Sequence, residues 1–266
     1  MDNRPIGVFD SGIGGLTVVN SLIDKMPNET IIYLGDTARL PYGNKSSRSI
    51  KLFSKRITQW LIEKDCKLII VACNTASALA LKFLCSEFNI PIIGMIRPGA
   101  ILATETSKTN RIGVLGTLAT ISSKSYEKTL LDINNKITVF SKACPLFVPL
   151  AEEGWVKGEI PKSIARVYLK EIKDSKIDTL ILGCTHYPIM KPIISEVLGR
   201  GIKLIDSGKA SAKSVKKILT KENINADNDN CGIIKCYVTD SIKSFNSMAG
   251  TFLKIPINSI MHIELF

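Results

Sequence analysis

The chain has 266 residues, 45% of them hydrophobic and 22% charged, enough to bury one large core or two smaller ones. No run approaches the ~20 apolar residues of a membrane span, and the opening Met1-Asp-Asn-Arg-Pro lacks a secretory leader, so no membrane partner and a cytoplasmic location are expected. A net charge of +11 raises nucleic acid as a partner, but the lysines are scattered along stretches such as 170–176 and 213–217 without interleaved aromatics, so a solvated basic surface that favours a small anionic substrate is the better reading.

Short apolar runs alternate with amphipathic stretches. In chain order, strands are predicted over 6–9, 30–34, 68–72, 90–94, 111–115, 136–140, 179–182 and 203–205, with a further one over 233–239. Helices are predicted between them over 15–26, 45–64, 75–88, 124–131, 161–172 and 190–198. Strand and helix in alternation argue for an α/β fold, with parallel sheets covered by helices on both faces. The breaks are expected at Gly94-Met-Ile-Arg-Pro-Gly99 and Asp206-Ser-Gly-Lys-Ala-Ser211.

An internal echo refines this picture. Ile6-Gly-Val-Phe-Asp-Ser-Gly12 resembles Ile112-Gly-Val-Leu-Gly-Thr117, and Leu68-Ile-Ile-Val-Ala-Cys-Asn-Thr75 resembles Thr179-Leu-Ile-Leu-Gly-Cys-Thr185. Gly7 and Gly113 stand 106 positions apart, and Cys73 and Cys184 stand 111 apart. The expectation is two pseudo-symmetric, doubly wound domains with an active site in the cleft between them. Residues 1–95 with 208–266 form the half that carries Cys73, and residues 96–207 form the half that carries Cys184.

Seven cysteines in a reducing compartment are expected to be thiols. There is no C-x-x-C pair, and the only histidines are His186 and His262, so no metal site is expected. Cys73 and Cys184 each follow an apolar strand and precede a helix, where ligands of open parallel sheets bind. A helix N-terminus there is expected to lower the thiol pKa from ~8.5. Cys66, Cys85, Cys144, Cys231 and Cys236 lack this setting and read as structural.

One reactive cysteine beside a histidine would suggest a thiol-dependent hydrolase. Two thiols in symmetry-related positions suggest inversion of a stereocentre, with one thiolate removing an α-proton and the other thiol protonating the opposite face. No signature of pyridoxal phosphate is seen. The turn Asp10-Ser-Gly-Ile-Gly-Gly-Leu-Thr17 lacks the spacing of nucleotide-binding loops and better fits a carboxylate ligand, with Asp10 free to hold an ammonium or assist a thiol.

Four motifs in order resemble the signatures of the glutamate racemases, within the cofactor-independent aspartate/glutamate racemase superfamily. They are Asp10-Ser-Gly-Ile-Gly-Gly-Leu-Thr, Gly35-Asp-Thr-Ala-Arg-Leu-Pro-Tyr-Gly43, Ala72-Cys-Asn-Thr-Ala-Ser77 and Gly183-Cys-Thr-His-Tyr-Pro188. The resemblance implies that Cys73 exchanges the proton of D-glutamate and Cys184 that of L-glutamate. Asp10 would assist Cys73, and Glu152 and His186 would assist Cys184, with the adjacent Glu153 blurring which carboxylate is meant.

By the same resemblance Asp10, Ser11, Tyr42, Gly43, Asn74, Thr75, Thr117, Thr120, Thr185 and His186 would bind the substrate. The family also implies no cofactor, a homodimer, and supply of D-glutamate for peptidoglycan, cell wall biogenesis and cell shape. Departures are Arg97 in place of an acidic residue, a weak match over 223–230, and no N-terminal extension, so activation by a cell-wall precursor is not expected. The alternatives are a racemase for aspartate or another amino acid, a one-cysteine hydrolase, and a basic nucleic-acid-binding protein.

Overall fold

The computed structural model describes residues 1–227, 229 and 231–265; positions 228, 230 and 266, assigned above to the first half, lie outside the described residues. In chain order the elements begin β1 (Ile6–Asp10), α1 (Leu16–Lys25), β2 (Ile31–Gly35), α2 (Ser47–Glu63), β3 (Leu68–Val71), α3 (Asn74–Leu79), α4 (Leu81–Glu87), β4 (Ile92–Gly94) and α5 (Ile96–Thr106). There follow β5 (Arg111–Gly116), α6 (Leu118–Ser122), α7 (Ser125–Ile133), β6 (Thr138–Ala143), α8 (Phe147–Glu152), α9 (Glu159–Asp174), β7 (Thr179–Gly183), α10 (Lys191–Leu198) and β8 (Lys203–Asp206). The chain closes with α11 (Ser207–Lys221), β9 (Ile234–Val238), α12 (Ile242–Phe252) and β10 (Ser259–His262).

The strands form two parallel sheets, ordered β10-β9-β2-β1-β3-β4 and β6-β5-β7-β8. Raising each number in the block β2-β1-β3-β4 by four gives the second sheet strand for strand. The internal echo is therefore one folding unit used twice, with β1 and β5 at its centre and β3 and β7 beside them. After the second sheet the chain returns, and β9 and β10 extend the first sheet beyond β2.

Burial explains the sequence pattern. Every residue of β1, β2, β3 and β7 is buried, so these strands read as unbroken apolar runs, as parallel strands covered on both faces must. One core spans both sheets, joining Val8, Leu16 and Tyr33 to Leu115, Phe147, Leu182 and Tyr187. Two further clusters cover the remaining faces, around Phe9, Ile57 and Val71 in the first half and around Ile112, Val114 and Ile181 in the second.

The expected breaks are strand-to-helix junctions. Pro98 stands in the first turn of α5, where its missing N–H leaves no bond unmade. Ile96, Ala100 and Ala103 of that helix pack on the second sheet. Asp206 caps α11, its Oδ1 accepting the N–H of Gly208 at 3.0 Å and of Lys209 at 3.2 Å. The helix predicted over 75–88 divides at Ala80 into α3 and α4. The strand predicted over 136–140 lies at Thr138–Ala143, and α5, α6, α8, α11, α12 and β10 have no counterpart among the predicted elements. Cys85 and Cys231 are exposed, against the reading of all five remaining cysteines as packing residues; Cys66, Cys144 and Cys236 are buried.

Candidate active site

The carboxyl ends of β1, β3, β5 and β7 carry Asp10, Cys73, Thr117 and Cys184, and side chains from the two sheets meet there. Thr185 Oγ1 donates to Asp10 Oδ1 at 3.4 Å. Thr75 Oγ1 lies 2.9 Å from Thr117 Oγ1 and 3.2 Å from Thr120 Oγ1, and the last two are 3.0 Å apart. These three hydroxyls form a closed ring between α3 and α6. Thr117 also caps α6, accepting the Thr120 N–H at 3.2 Å.

On the first sheet's side, Cys73 is the residue before α3 and its Sγ lies 3.8 Å from Ser11 Oγ. Cys73 is 5% exposed. Burial pushes its pKa up to about 12, and the charge of Asp10 adds to this; the Ala76 N–H and the Ser11 hydroxyl pull the other way. This corrects the expectation of a lowered value: α3 is a six-residue helix, and its N-terminal amides do not outweigh desolvation beside a carboxylate. A charge on Cys184 also raises Cys73, so the sulfurs sense one another electrostatically. Asp10 is fully buried, accepts the Gly12 N–H at 3.2 Å, and has its pKa raised by burial, with His186 and these hydrogen bonds opposing.

On the second sheet's side, Cys184 Sγ lies 3.9 Å from His186 Nδ1, and His186 Nε2 lies 2.9 Å from Glu152 Oε1. Glu152 rather than Glu153 therefore reaches the imidazole; Glu153 lines a surface hollow with Leu146 and Trp155. Burial disfavours the charged imidazole, but the Cys184 sulfur and the Glu152 carboxylate outweigh it and hold His186 up to about 10. The ring is thus an imidazolium near neutral pH. The glycine turn after β1 packs directly on this group: a Cβ at Gly14 would stand 2.5 Å from Thr185 Oγ1 and closer still to His186 Nδ1.

The remaining expected ligands fall into two groups. Ser11, Thr75, Thr117, Thr120 and Thr185 present hydroxyls at the junction, as the bonds above describe. Tyr42 and Asn74 differ, because their side chains are engaged within the protein. The Tyr42 hydroxyl donates to Asp36 Oδ2 at 2.6 Å, and Asp36 Oδ1 also accepts from Arg39 at 2.7 Å and Thr239 at 2.8 Å. Asn74 Nδ2 donates to Ser207 Oγ at 3.3 Å, and its Oδ1 accepts from the Tyr126 hydroxyl at 2.7 Å. Gly43 is buried against Thr117, whose Cβ would lie 2.8 Å from an added Cβ. Asp36, Tyr126 and Ser207 were not singled out in the sequence; Asp36 lies inside a recognised motif, but no local pattern announces its partners.

Among the described residues no group of three or more His, Cys, Asp or Glu side chains is arranged to hold a metal ion. What the arrangement offers is one sulfur beside an acid and a hydroxyl, a second sulfur beside an ion-paired imidazole, and further hydroxyls at the same strand ends.

The sequence over residues 15–215 matches the family described as Asp/Glu/Hydantoin racemase. The chain belongs to this family of racemases. Within it, its similarities run to the glutamate racemases. The curated glutamate racemase of Aquifex aeolicus is 45% identical, with 98% of each chain covered. A crystal structure of a glutamate racemase isoform from Bacillus anthracis superposes with a TM-score of 0.96 at 37% identity, covering 100% of this chain and 99% of that one. The glutamate racemase of Francisella tularensis in complex with D-glutamate gives 0.93 at 41% identity, with the same coverage. An α/β fold of two parallel sheets is common to them and to this protein. No helix of the described residues is long and apolar enough to cross a membrane.

Proposed function

We propose that the protein interconverts L- and D-glutamate by two-base proton transfer between Cys184 and Cys73. The observation that carries this reading is the pair of buried thiols at matching strand ends of the two repeated units, each with its own acid–base partner. In the L-to-D direction the Cys184 thiolate removes the Cα proton, with the His186 imidazolium and Glu152 beside it. The electron pair passes to the α-carboxylate as an enolate, and the Cys73 thiol gives its proton to the opposite face. Cys184 ends as thiol and Cys73 as thiolate, and the reverse reaction uses them in the opposite roles. A Cys73 thiol held up to about 12 by burial and Asp10 retains its proton at neutral pH until the carbanion accepts it.

Ser11, Thr75, Thr117, Thr120 and Thr185 are proposed to hold the two carboxylates and the ammonium in a water-poor site, where fixed dipoles stabilise developing charge strongly. Tyr42 and Gly43 contribute by placing their turn against Thr117, and Asn74 by its main chain or its one spare amide hydrogen. The ring of three threonine hydroxyls satisfies itself when unliganded and can turn its protons outward to a carboxylate.

The role extends to supply of D-glutamate for peptidoglycan, in a cytoplasmic homodimer; seven cysteines without a disulfide are in keeping with that compartment. The test is incubation of the purified protein with L-glutamate, followed by circular dichroism of the amino acid and repeated with L-aspartate. The glutamate signal is expected to decay to zero and the aspartate signal to persist. A glutamate signal that holds steady contradicts the proposal.

A further inference from the structure

The imidazole of His186 makes one contact that the reaction as described does not use. The ring of Phe252, the last residue of α12, meets it edge-on, with centroids 5.3 Å apart and planes at 78°. Phe252 is 2% exposed and comes from the C-terminal return, the part of the chain in which no motif was recognised. Its main chain is clasped from α1: Asn20 Nδ2 donates to the Phe252 carbonyl at 2.6 Å, and the Lys254 N–H donates to Asn20 Oδ1 at 3.0 Å. One turn earlier on the same helix, Thr17 donates to the Thr185 carbonyl at 2.9 Å, so α1 holds both the residue before His186 and the ring that faces it.

The imidazole's polar contacts, Glu152 at Nε2 and Cys184 with Thr185 Oγ1 (3.5 Å) at Nδ1, all lie at its two nitrogens, and the Gly14 turn packs at the Nδ1 end. These contacts alone let the ring rock about the line between the nitrogens. The Cys184 contact is long, at 3.9 Å, so a small tilt changes it. An aromatic edge against the ring removes that freedom. Phe252 also lines a hollow of about 360 Å³ together with Thr17, Asn20, Ile189, Lys191 and Lys254. We propose that Phe252, clasped by Asn20, is a positioning residue that fixes the plane of His186 between Cys184 and Glu152. The proposal rests on the reading of His186 as the partner of Cys184.

Phe252→Leu fills the space without offering an aromatic ring. It is expected to lower kcat about tenfold in both directions with KM within about twofold, since proton transfer depends steeply on donor placement. Phe252→Tyr should restore most of the loss. The chain has two histidines, so ¹⁵N-histidine spectra report His186 with little overlap. Its Nε2–H signal, protected by Glu152, should exchange faster in Phe252→Leu. Asn20→Ala loosens the clasp while leaving the ring in place and should move the same readouts in the same direction. Phe252→Leu added to His186→Asn should cost nothing further. An equal loss in that background, or unchanged kcat and unchanged His186 signals in Phe252→Leu, would overturn the proposal. Turnover by His186→Asn at the unmutated rate would overturn it together with the reading beneath it, and is recognisable by the single variant alone.

Discussion

Two thiols in similar chain settings have unlike surroundings: Cys73 shares its space with a carboxylate and a hydroxyl, Cys184 with an imidazolium braced by a carboxylate. The difference follows from one residue type, His186, two positions after the second cysteine where the first strand end has Thr75. Because the folded pKa of His186 is raised from 6.5 to about 10, its contribution to stability is complete below pH 6.5, falls as pH rises beyond that, and is lost above about 10. Thermal melts of the unmodified protein and His186→Asn should therefore differ most at pH 6 and converge toward pH 10. A gap independent of pH would contradict the assignment. At this scale the two cysteines and His186 were legible, since each stands in a short motif after an apolar strand. The partners of Tyr42 and Asn74 were not, because Asp36, Tyr126 and Ser207 reach them from different elements through hydrogen bonds that leave no periodic trace.

At the scale of elements, the junctions between strands and helices do the positioning. The turn from β1 into α1 passes so close to the 184–186 segment that Gly14 has no room for a methyl group. Gly14→Ala should displace His186 and Thr185 and lower turnover about a hundredfold, while the melting temperature falls by only a few degrees; normal turnover would show that the approach is looser than described. The strands were readable because burial on both faces writes continuous apolar runs. The helix α5 was not, since Pro98 and Gly99 in its first turns read as a break when only their propensities are weighed. α12 was missed because its buried residues, Phe245, Ala249 and Phe252 with Met248 half-buried beside them, are interrupted by serine, asparagine, glycine and threonine.

At the scale of the whole molecule, the repeated four-strand unit explains how two cysteines come to stand at matching strand ends, and the C-terminal return explains how the first sheet is completed. That return is tied down by a buried ion pair. Lys67 Nζ lies 2.6 Å from Glu29 Oε2 and donates to the Asp2 carbonyl at 2.6 Å, while Glu29 Oε1 accepts the Ala226 N–H at 2.8 Å. Lys67→Met leaves Glu29 charged and unpaired and should cost about 3–5 kcal/mol in chemical denaturation, with Glu29→Gln in the same chain recovering much of it. An effect below about 1 kcal/mol would mean that water already reaches the pair. The measurement that bears most directly on the paired-thiol account is the reaction of L-glutamate in deuterated water, followed by mass and chiral analysis, for the unmodified protein, Cys73→Ser and Cys184→Ser. The account predicts D-glutamate carrying one deuterium at Cα from the first, and a fall of about a thousandfold or more in each variant. D-Glutamate formed at near-normal rate by either variant, or formed without deuterium, would contradict it.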